Sequence, residues 1–92
     1  MKYRLKSGAA IAYAPGGRGD TTLVLLHPVG LRGAVWSKVA DELAGEYRTL
    51  AVDLPGHGES DVTARRQSIE DMAGSGLELI ATVGGERVVL IG

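Results

Sequence analysis

The sequence lacks cysteine and phenylalanine altogether, and its aromatic side chains are one tryptophan and three tyrosines among 92 residues. Without cysteine, a disulfide framework, a thiolate nucleophile and a thiolate metal site are all excluded. The absence is compatible with a reducing compartment, and we expect a cytoplasmic protein. Since 45% of the residues are hydrophobic but 4% are aromatic, we expect a core that is mainly aliphatic.

The sequence also lacks an excess of charge of either sign, because ten Lys and Arg residues stand against eleven Asp and Glu residues, a formal net charge of −1. Without a basic surface there is little to bind a phosphate backbone, so nucleic acid is not an expected partner. The longest apolar runs, residues 23–26 and 88–91, are too short to cross a bilayer, and the charged N-terminal residues predict no signal peptide. We therefore expect a soluble protein with no membrane partner.

Hydrophobic periodicity predicts one small domain, residues 1–92, in which strands alternate with helices. The predicted strands are residues 2–6, 9–14, 21–26, 47–52 and 87–91, and the predicted helices are residues 35–44 and 69–81. The first two strands form an N-terminal hairpin, and the Pro- and Gly-rich residues 15–20 predict a turn after it. The later alternation indicates βαβ crossovers, so the fold class is α/β, with a largely parallel sheet and helices packed on it.

The second helix carries both a start signal and an apolar face. Ser68 is a predicted N-cap, with Asp71 at the capping-box position. The predicted core-facing stripe consists of Ile69, Met72, Ala73, Leu77, Ile80 and Ala81.

The strand at residues 87–91 is apolar throughout, a pattern typical of a parallel strand covered on both faces. Nothing follows it in the sequence that covers a face or continues the sheet. We therefore expect an unfinished fold, the N-terminal fragment of one domain. Its open sheet edge offers a surface for a partner chain or for self-association.

Two polar segments with glycines follow neighbouring strands of the predicted sheet. Leu-Leu-His-Pro-Val-Gly occupies residues 25–30, and Asp-Leu-Pro-Gly-His-Gly-Glu-Ser occupies residues 53–60. Ligands of open parallel sheets bind beyond the carboxyl ends of the strands, where glycines let the backbone approach a ligand closely. Both segments are therefore expected at the functional edge of the sheet.

Together these segments resemble the N-terminal part of the α/β-hydrolase fold family. Residues 27–30, followed by Trp36, are similar to the family's oxyanion loop, and residues 53–60 match its Asp-x-Pro/Arg-Gly-His/Tyr-Gly-x-Ser loop. Residues 87–92 resemble the strand that leads into the nucleophile elbow, whose Gly-x-Ser-x-Gly motif would begin at about Gly92. The resemblance covers nearly the whole chain, with the motifs in the family's order.

The resemblance implies a hydrolase whose nucleophile, acid and catalytic histidine lie beyond Gly92, so these residues alone are expected to be inactive. It assigns one catalytic group here, the backbone N–H of Val29, as an oxyanion-hole donor. The implied oxyanion loop and pocket consist of His27, Pro28, Gly30 and Trp36. Pro28 departs from the family's usual glycine and has no N–H to donate.

The family's reaction is left open by the resemblance. Serine esterases, enol-lactone lactonases, cofactor-free haloperoxidases, epoxide hydrolases and haloalkane dehalogenases share this half of the fold, and the last two use an aspartate nucleophile. The His-Pro-Val-Gly form favours an esterase or lactonase with a small-molecule substrate in the full-length protein. No cofactor and no metal are implied.

Two alternatives compete with the hydrolase interpretation. The first is a dinucleotide-binding βαβ module, in which Gly30 and Gly33 precede a helix and Asp53 takes the position of the ribose-binding acid. Pro28, however, stands where that fingerprint needs its first glycine. The second alternative is a non-catalytic chain that a partner completes.

The remaining polar residues of the two segments are expected to be structural. We expect Asp53 to cap the turn that follows it and His57 to be held by backbone contacts. His27 is expected to orient its loop rather than to transfer a proton.

Overall fold

The computed structural model describes residues 1–28, 30–62 and 67–92. The strands are β1 (Lys2–Arg4), β2 (Ala10–Gly17), β3 (Thr21–Leu26), β4 (Arg48–Val52) and β5 (Arg87–Ile91). A 3-10 helix (Gly33–Trp36) leads directly into α1 (Ser37–Leu43), and α2 (Ile69–Val83) precedes β5. Each predicted strand and helix has a counterpart here. Within the described ranges, no helix is long and apolar enough to cross a membrane.

The five strands form one mixed sheet in the order β1-β2-β4-β3-β5. The N-terminal hairpin is antiparallel, and β2 continues antiparallel against β4. The other pairs, β4 with β3 and β3 with β5, are parallel. The α/β class is therefore confirmed, with the parallel pairs on one side of the sheet and the hairpin on the other.

β2 is longer than the sequence predicts, because residues 15–17 continue the strand instead of forming a turn. In the antiparallel register, Pro15 lies opposite Leu50 and Gly17 opposite Arg48. A Cβ at Gly17 would overlap the carbonyl oxygen of Tyr47, and the φ of Gly17 is +67°. Glycine is thus required at position 17 because the backbone of a neighbouring segment approaches it closely inside a strand. The Pro and Gly content of residues 15–17 was therefore misleading as a turn signal.

The start of α2 agrees with the sequence prediction. The Asp71 N–H donates to the Ser68 hydroxyl oxygen at 3.0 Å, and the Ser68 N–H donates to the Asp71 carboxylate at 3.0 Å. This reciprocal capping box satisfies N–H groups that would otherwise lack acceptors in the first helical turn.

The predicted apolar stripe of α2 is wrong in part, because the helix is rotated relative to it. Leu79, which the stripe omitted, is fully buried, whereas Ile69 and Leu77 are 82% and 61% exposed. Two polar contacts with the hairpin accompany this rotation: Glu78 accepts from the Lys6 N–H at 2.9 Å, and the Thr82 hydroxyl bonds the Tyr3 hydroxyl at 3.3 Å. A period of 3.6 residues identified a helix but did not select its buried face.

The core lies between α2 and one face of the sheet. Its fully or nearly buried members are aliphatic, as expected: Leu5, Ile11, Val24, Leu50, Val52 and Leu79. On β5, which pairs with β3, the side chains of Val89 and Leu90 are 48% and 54% exposed. The apolar strand is therefore not covered on both faces by the part of the chain that the structure describes.

The orientation of α2 leads to opposite predictions for two leucines, the buried Leu79 and the exposed Leu77. We expect Leu79→Ala to lower the free energy of unfolding by about 2–5 kcal/mol, because it opens a cavity in a buried position. Leu77→Ala is expected to change it by less than about 0.5 kcal/mol, since that side chain is exposed. Urea unfolding followed by circular dichroism measures both values, and a larger loss for Leu77→Ala would contradict this orientation of the helix.

Candidate active-site edge

The loops that follow β3 and β4 begin side by side at the carboxyl edge of the sheet. Leu26 at the end of β3 is in register with Val52 at the end of β4. We call residues 27–33 the β3 loop and residues 53–61 the β4 loop. The sequence-predicted residues of both motifs lie in these two loops, apart from Trp36, which ends the 3-10 helix.

Asp53 joins the two loops through its buried carboxylate, and we call its contacts with Gly33 and Glu59 the Asp53 junction. One oxygen accepts from the Gly33 N–H at 2.6 Å, and the other accepts from the Glu59 N–H at 2.9 Å. The Glu59 contact confirms the expected cap of the turn after Asp53. The Gly33 contact was not predicted, because no local pattern links residues twenty positions apart in sequence.

Ser60 and Asp61 tie the β4 loop to β2. The Ser60 hydroxyl donates to the Asp53 carbonyl oxygen and accepts from the Ala12 N–H at 2.8 Å. The Asp61 carboxylate accepts from the Ala10 N–H at 2.9 Å, and the Asp61 N–H donates to the Ala10 carbonyl. The buried Ser60 hydroxyl is therefore engaged with the backbone on both sides, consistent with a structural role.

His27 and His57 link the two loops in opposite directions. His27, which is buried, accepts from the Leu54 N–H through Nε2 at 3.0 Å. His57 accepts from the Gly30 N–H through Nε2 at 3.2 Å. The two ring centroids lie 4.9 Å apart at an interplanar angle of 51°. We call this reciprocal pair of contacts the histidine clasp.

The contacts of each ring fit one arrangement of donor and acceptor on its two nitrogens. Nδ1 of His27 lies 2.8 Å from the Pro28 carbonyl, and Nδ1 of His57 lies 3.0 Å from the Pro55 carbonyl. Because Nε2 faces an N–H donor and Nδ1 faces an acceptor, both contacts are satisfied when neutral imidazole carries its proton on Nδ1. The rings therefore hold loop backbone, as expected for structural histidines.

The remaining residues of the implied oxyanion loop have separate positions. Val29 lies outside the described residues. On either side of it, the Pro28 carbonyl accepts from the Leu31 N–H at 3.1 Å, and the Gly30 N–H is donated to His57. Trp36 is half-buried, and its indole N–H has no hydrogen-bond partner among the residues that the structure describes.

A cavity of about 500 Å³ lies between α1 and the β2–β4 part of the sheet. Small side chains such as Ala14, Ala40 and Ala51 line it, and Asp53 lies at its border. The Arg32–Glu59 ion pair, with a nitrogen–oxygen distance of 3.4 Å, also contributes to this border. Among residues 1–28, 30–62 and 67–92, no group of three His, Asp or Glu side chains is arranged to hold a metal ion.

Comparison with known proteins identifies the family to which this chain belongs. The Alpha/beta hydrolase family matches residues 23–92. A pimeloyl-[acyl-carrier protein] methyl ester esterase of Pectobacterium atrosepticum is 38% identical over 84 residues, which are 91% of this chain and 31% of the relative. The chain belongs to the alpha/beta hydrolase family, and it spans about a third of the length of this curated relative, 31%.

Solved structures share the fold over the whole chain. An esterase, EaEST from Exiguobacterium antarcticum, superposes with a TM-score of 0.90 at 24% identity, over 100% of this chain and 34% of that chain. The epoxide hydrolase CorEH superposes with a TM-score of 0.90 at 28% identity, over 100% of this chain and 32% of that chain. The strand order and the mixed sheet are thus those of known hydrolases.

The hydrogen bonds that the Asp53 carboxylate already accepts argue against the dinucleotide-binding alternative. That alternative requires a carboxylate that is free to bind ribose hydroxyls. Both oxygens of Asp53 instead accept backbone N–H groups, and the residue is 9% exposed.

The Asp53 contacts lead to a paired prediction for two glycines of the β4 loop. A Cβ at Gly58 (φ +51°) would overlap the Asp53 carboxylate, whereas a Cβ at Gly56 (φ +80°) would meet nothing within 4 Å. Both alanine substitutions incur the left-handed backbone cost of about 1–2 kcal/mol. We expect Gly58→Ala to lower the free energy of unfolding by a further amount of about 1.5–3 kcal/mol, because the displaced Asp53 carboxylate must give up its hydrogen bond to the Gly33 or Glu59 N–H. Urea unfolding compares the two, and equal losses would contradict the Asp53 junction.

Proposed function

We propose that this chain is the N-terminal part of a hydrolase that cleaves an ester or lactone of a small molecule, with its nucleophile supplied by sequence that follows Gly92. The observation that carries the proposal is the position of β5 beside the β3 loop. Leu25 is in register with Ile91, and a Cβ at Gly92 would lie 3.9 Å from the Leu26 Cβ. A residue that follows Gly92 would therefore emerge beside the start of the β3 loop, where the family builds its oxyanion hole.

In this proposal a serine attacks the acyl carbon of the substrate, the alcohol leaves, and water then releases the acid from the acyl-enzyme. The Val29 N–H donates to the oxyanion that forms during attack, a contribution of about 3 kcal/mol for one such donor. Two features of the neighbouring residues support this assignment. Pro28 has no N–H, and the Gly30 N–H is already donated to His57.

An ester is the preferred substrate class because of the relatives. EaEST and CorEH match this chain equally well, with a TM-score of 0.90 each, so the fold does not separate ester from epoxide hydrolysis. The 38% identity to a methyl ester esterase favours the ester. A cytoplasmic location belongs to the same proposal, since a chain without cysteine is compatible with a reducing compartment.

The test uses the polypeptide encoded by the complete gene alongside residues 1–92 alone. We expect the complete polypeptide to hydrolyse a carboxylic methyl ester and to be labelled covalently by a fluorophosphonate on a serine beyond Gly92, because the nucleophile lies there. Residues 1–92 alone should show neither activity. Absence of labelling together with epoxide opening would replace the serine with an aspartate nucleophile and contradict the ester proposal.

We further propose that the exposed edge of β5 pairs with the same edge of a second copy of this chain. Val89 and Leu90 are 48% and 54% exposed on this strand, and an apolar edge strand favours pairing with another strand. This candidate is distinct from catalysis, since it requires no residue of the two loops.

Self-association provides a direct measurement of the β5 proposal. We expect residues 1–92 alone to form dimers or larger species in sedimentation velocity, and Val89→Lys to shift them toward monomer because charge disfavours edge pairing. Val62→Lys is the control, since Val62 is 83% exposed and lies outside the sheet. Equal behaviour of the two variants would count against β5 as the contact surface.

A further inference from the structure

The described residues in the turn of the β3 loop, Pro28, Gly30 and Leu31, have little packing to define their positions. Pro28 and Gly30 are exposed, and Leu31 is 48% exposed. Within the described residues, one backbone contact closes the turn, from the Leu31 N–H to the Pro28 carbonyl. A segment with few buried contacts has low local stability, so hydrogen bonds from neighbouring loops must hold it in one conformation.

In the part of the chain that the structure describes, three side chains of the β4 loop contact the β3 loop, and their contacts differ in strength: those of Glu59, Asp53 and His57. The Arg32–Glu59 ion pair joins side chains that are 53% and 71% exposed, so its contribution is small. Asp53 binds Gly33 at the far end of the loop, where Gly33 is the first residue of the 3-10 helix. His57 alone among these three accepts an N–H from the turn itself, that of Gly30.

His57 is well placed to hold that N–H in a fixed direction. Its ring is half-buried, and Nδ1 lies 3.0 Å from the carbonyl oxygen of the buried Pro55. This contact restricts rotation of the ring and so orients the acceptor Nε2 toward Gly30. Contact with the His27 ring, 4.9 Å away between centroids, supports the same orientation. His27 in turn accepts from Leu54, which keeps the β4 loop at a constant distance from the β3 loop.

We propose that His57 is a positioning residue for ester hydrolysis: by accepting the Gly30 N–H it holds the backbone of Gly30, which follows the proposed oxyanion donor in sequence, in one orientation. This role rests on the proposed function. His57 touches no reacting atom and acts through the backbone of Gly30. Loss of its acceptor should therefore weaken stabilisation of the transition state while substrate binding in the ground state is retained.

Two amide substitutions separate this role from simple support of the β4 loop. His57→Gln places its amide oxygen near the position of Nε2 and can still accept from Gly30. His57→Asn places its amide nitrogen near the position of Nδ1, so it keeps donation to Pro55 but cannot reach Gly30. Lys38→Gln, at an exposed position of α1, is the surface control.

The measurements are kcat and KM for methyl ester hydrolysis and hydrogen exchange of the Gly30 amide, all in the complete polypeptide. We expect His57→Asn to lower kcat about tenfold with little change in KM, because a small misplacement of a catalytic group is costly. His57→Gln and Lys38→Gln should stay within about twofold of the wild type. The Gly30 amide should exchange faster in His57→Asn than in the other two variants.

Each other outcome has a definite meaning. Equal losses of kcat in His57→Gln and His57→Asn would assign His57 to support of the β4 loop and overturn the positioning role. Retention of the wild-type kcat in His57→Asn would also overturn the positioning role. A wild-type protein with a protected Gly30 amide but no ester hydrolysis would overturn the proposed function, and the positioning role with it, while retaining the His57–Gly30 contact. An active wild-type protein with an unprotected Gly30 amide would overturn the positioning role alone.

Discussion

The arrangement of the candidate site depends on one buried carboxylate, that of Asp53. A buried carboxylate is costly unless its oxygens accept hydrogen bonds, and each bond to a charged group contributes about 1.5–3 kcal/mol. Asp53 meets this requirement with the N–H groups of Gly33 and Glu59, one from each loop. The same contacts that compensate its burial also set the separation of the loops, so stability and site geometry have a common origin.

The sheet determines where this junction can form. Because β3 and β4 are parallel neighbours in register, their loops emerge at one edge and at one level. The antiparallel hairpin lies beyond β4, and Ser60 and Asp61 bond to its second strand, β2. The β4 loop is therefore held between the hairpin and the β3 loop. The region that matches the alpha/beta hydrolase family begins within β3 and ends after β5, so it includes both loops but not the hairpin.

Local signals in the sequence predicted the strands, the capping box of α2 and the structural roles of Asp53 and His57. They failed where the deciding contact is distant in sequence. Residues 15–17 contain Pro and Gly, which indicate a turn, but pairing with β4 keeps them in a strand. The buried face of α2 likewise differs from the face that helical spacing predicted, and Glu78 on this helix accepts from the Lys6 N–H of the distant hairpin. The links from Asp53 to Gly33 and from His57 to Gly30 join separate loops, so no local pattern could show them.

The contacts between the loops have a consequence for which side chains of the β3 loop can be replaced. In the histidine clasp and the Asp53 junction, every donated hydrogen that crosses between the loops comes from the main chain, at Gly30, Gly33 and Leu54. A main-chain donor survives replacement of its own side chain wherever the backbone conformation tolerates it. The exposed Leu31, beside the candidate site, is therefore free to vary in size and polarity without loss of a contact between the loops. Replacement of Leu31 should therefore cost little stability, because main-chain atoms of other residues make the contacts between the loops.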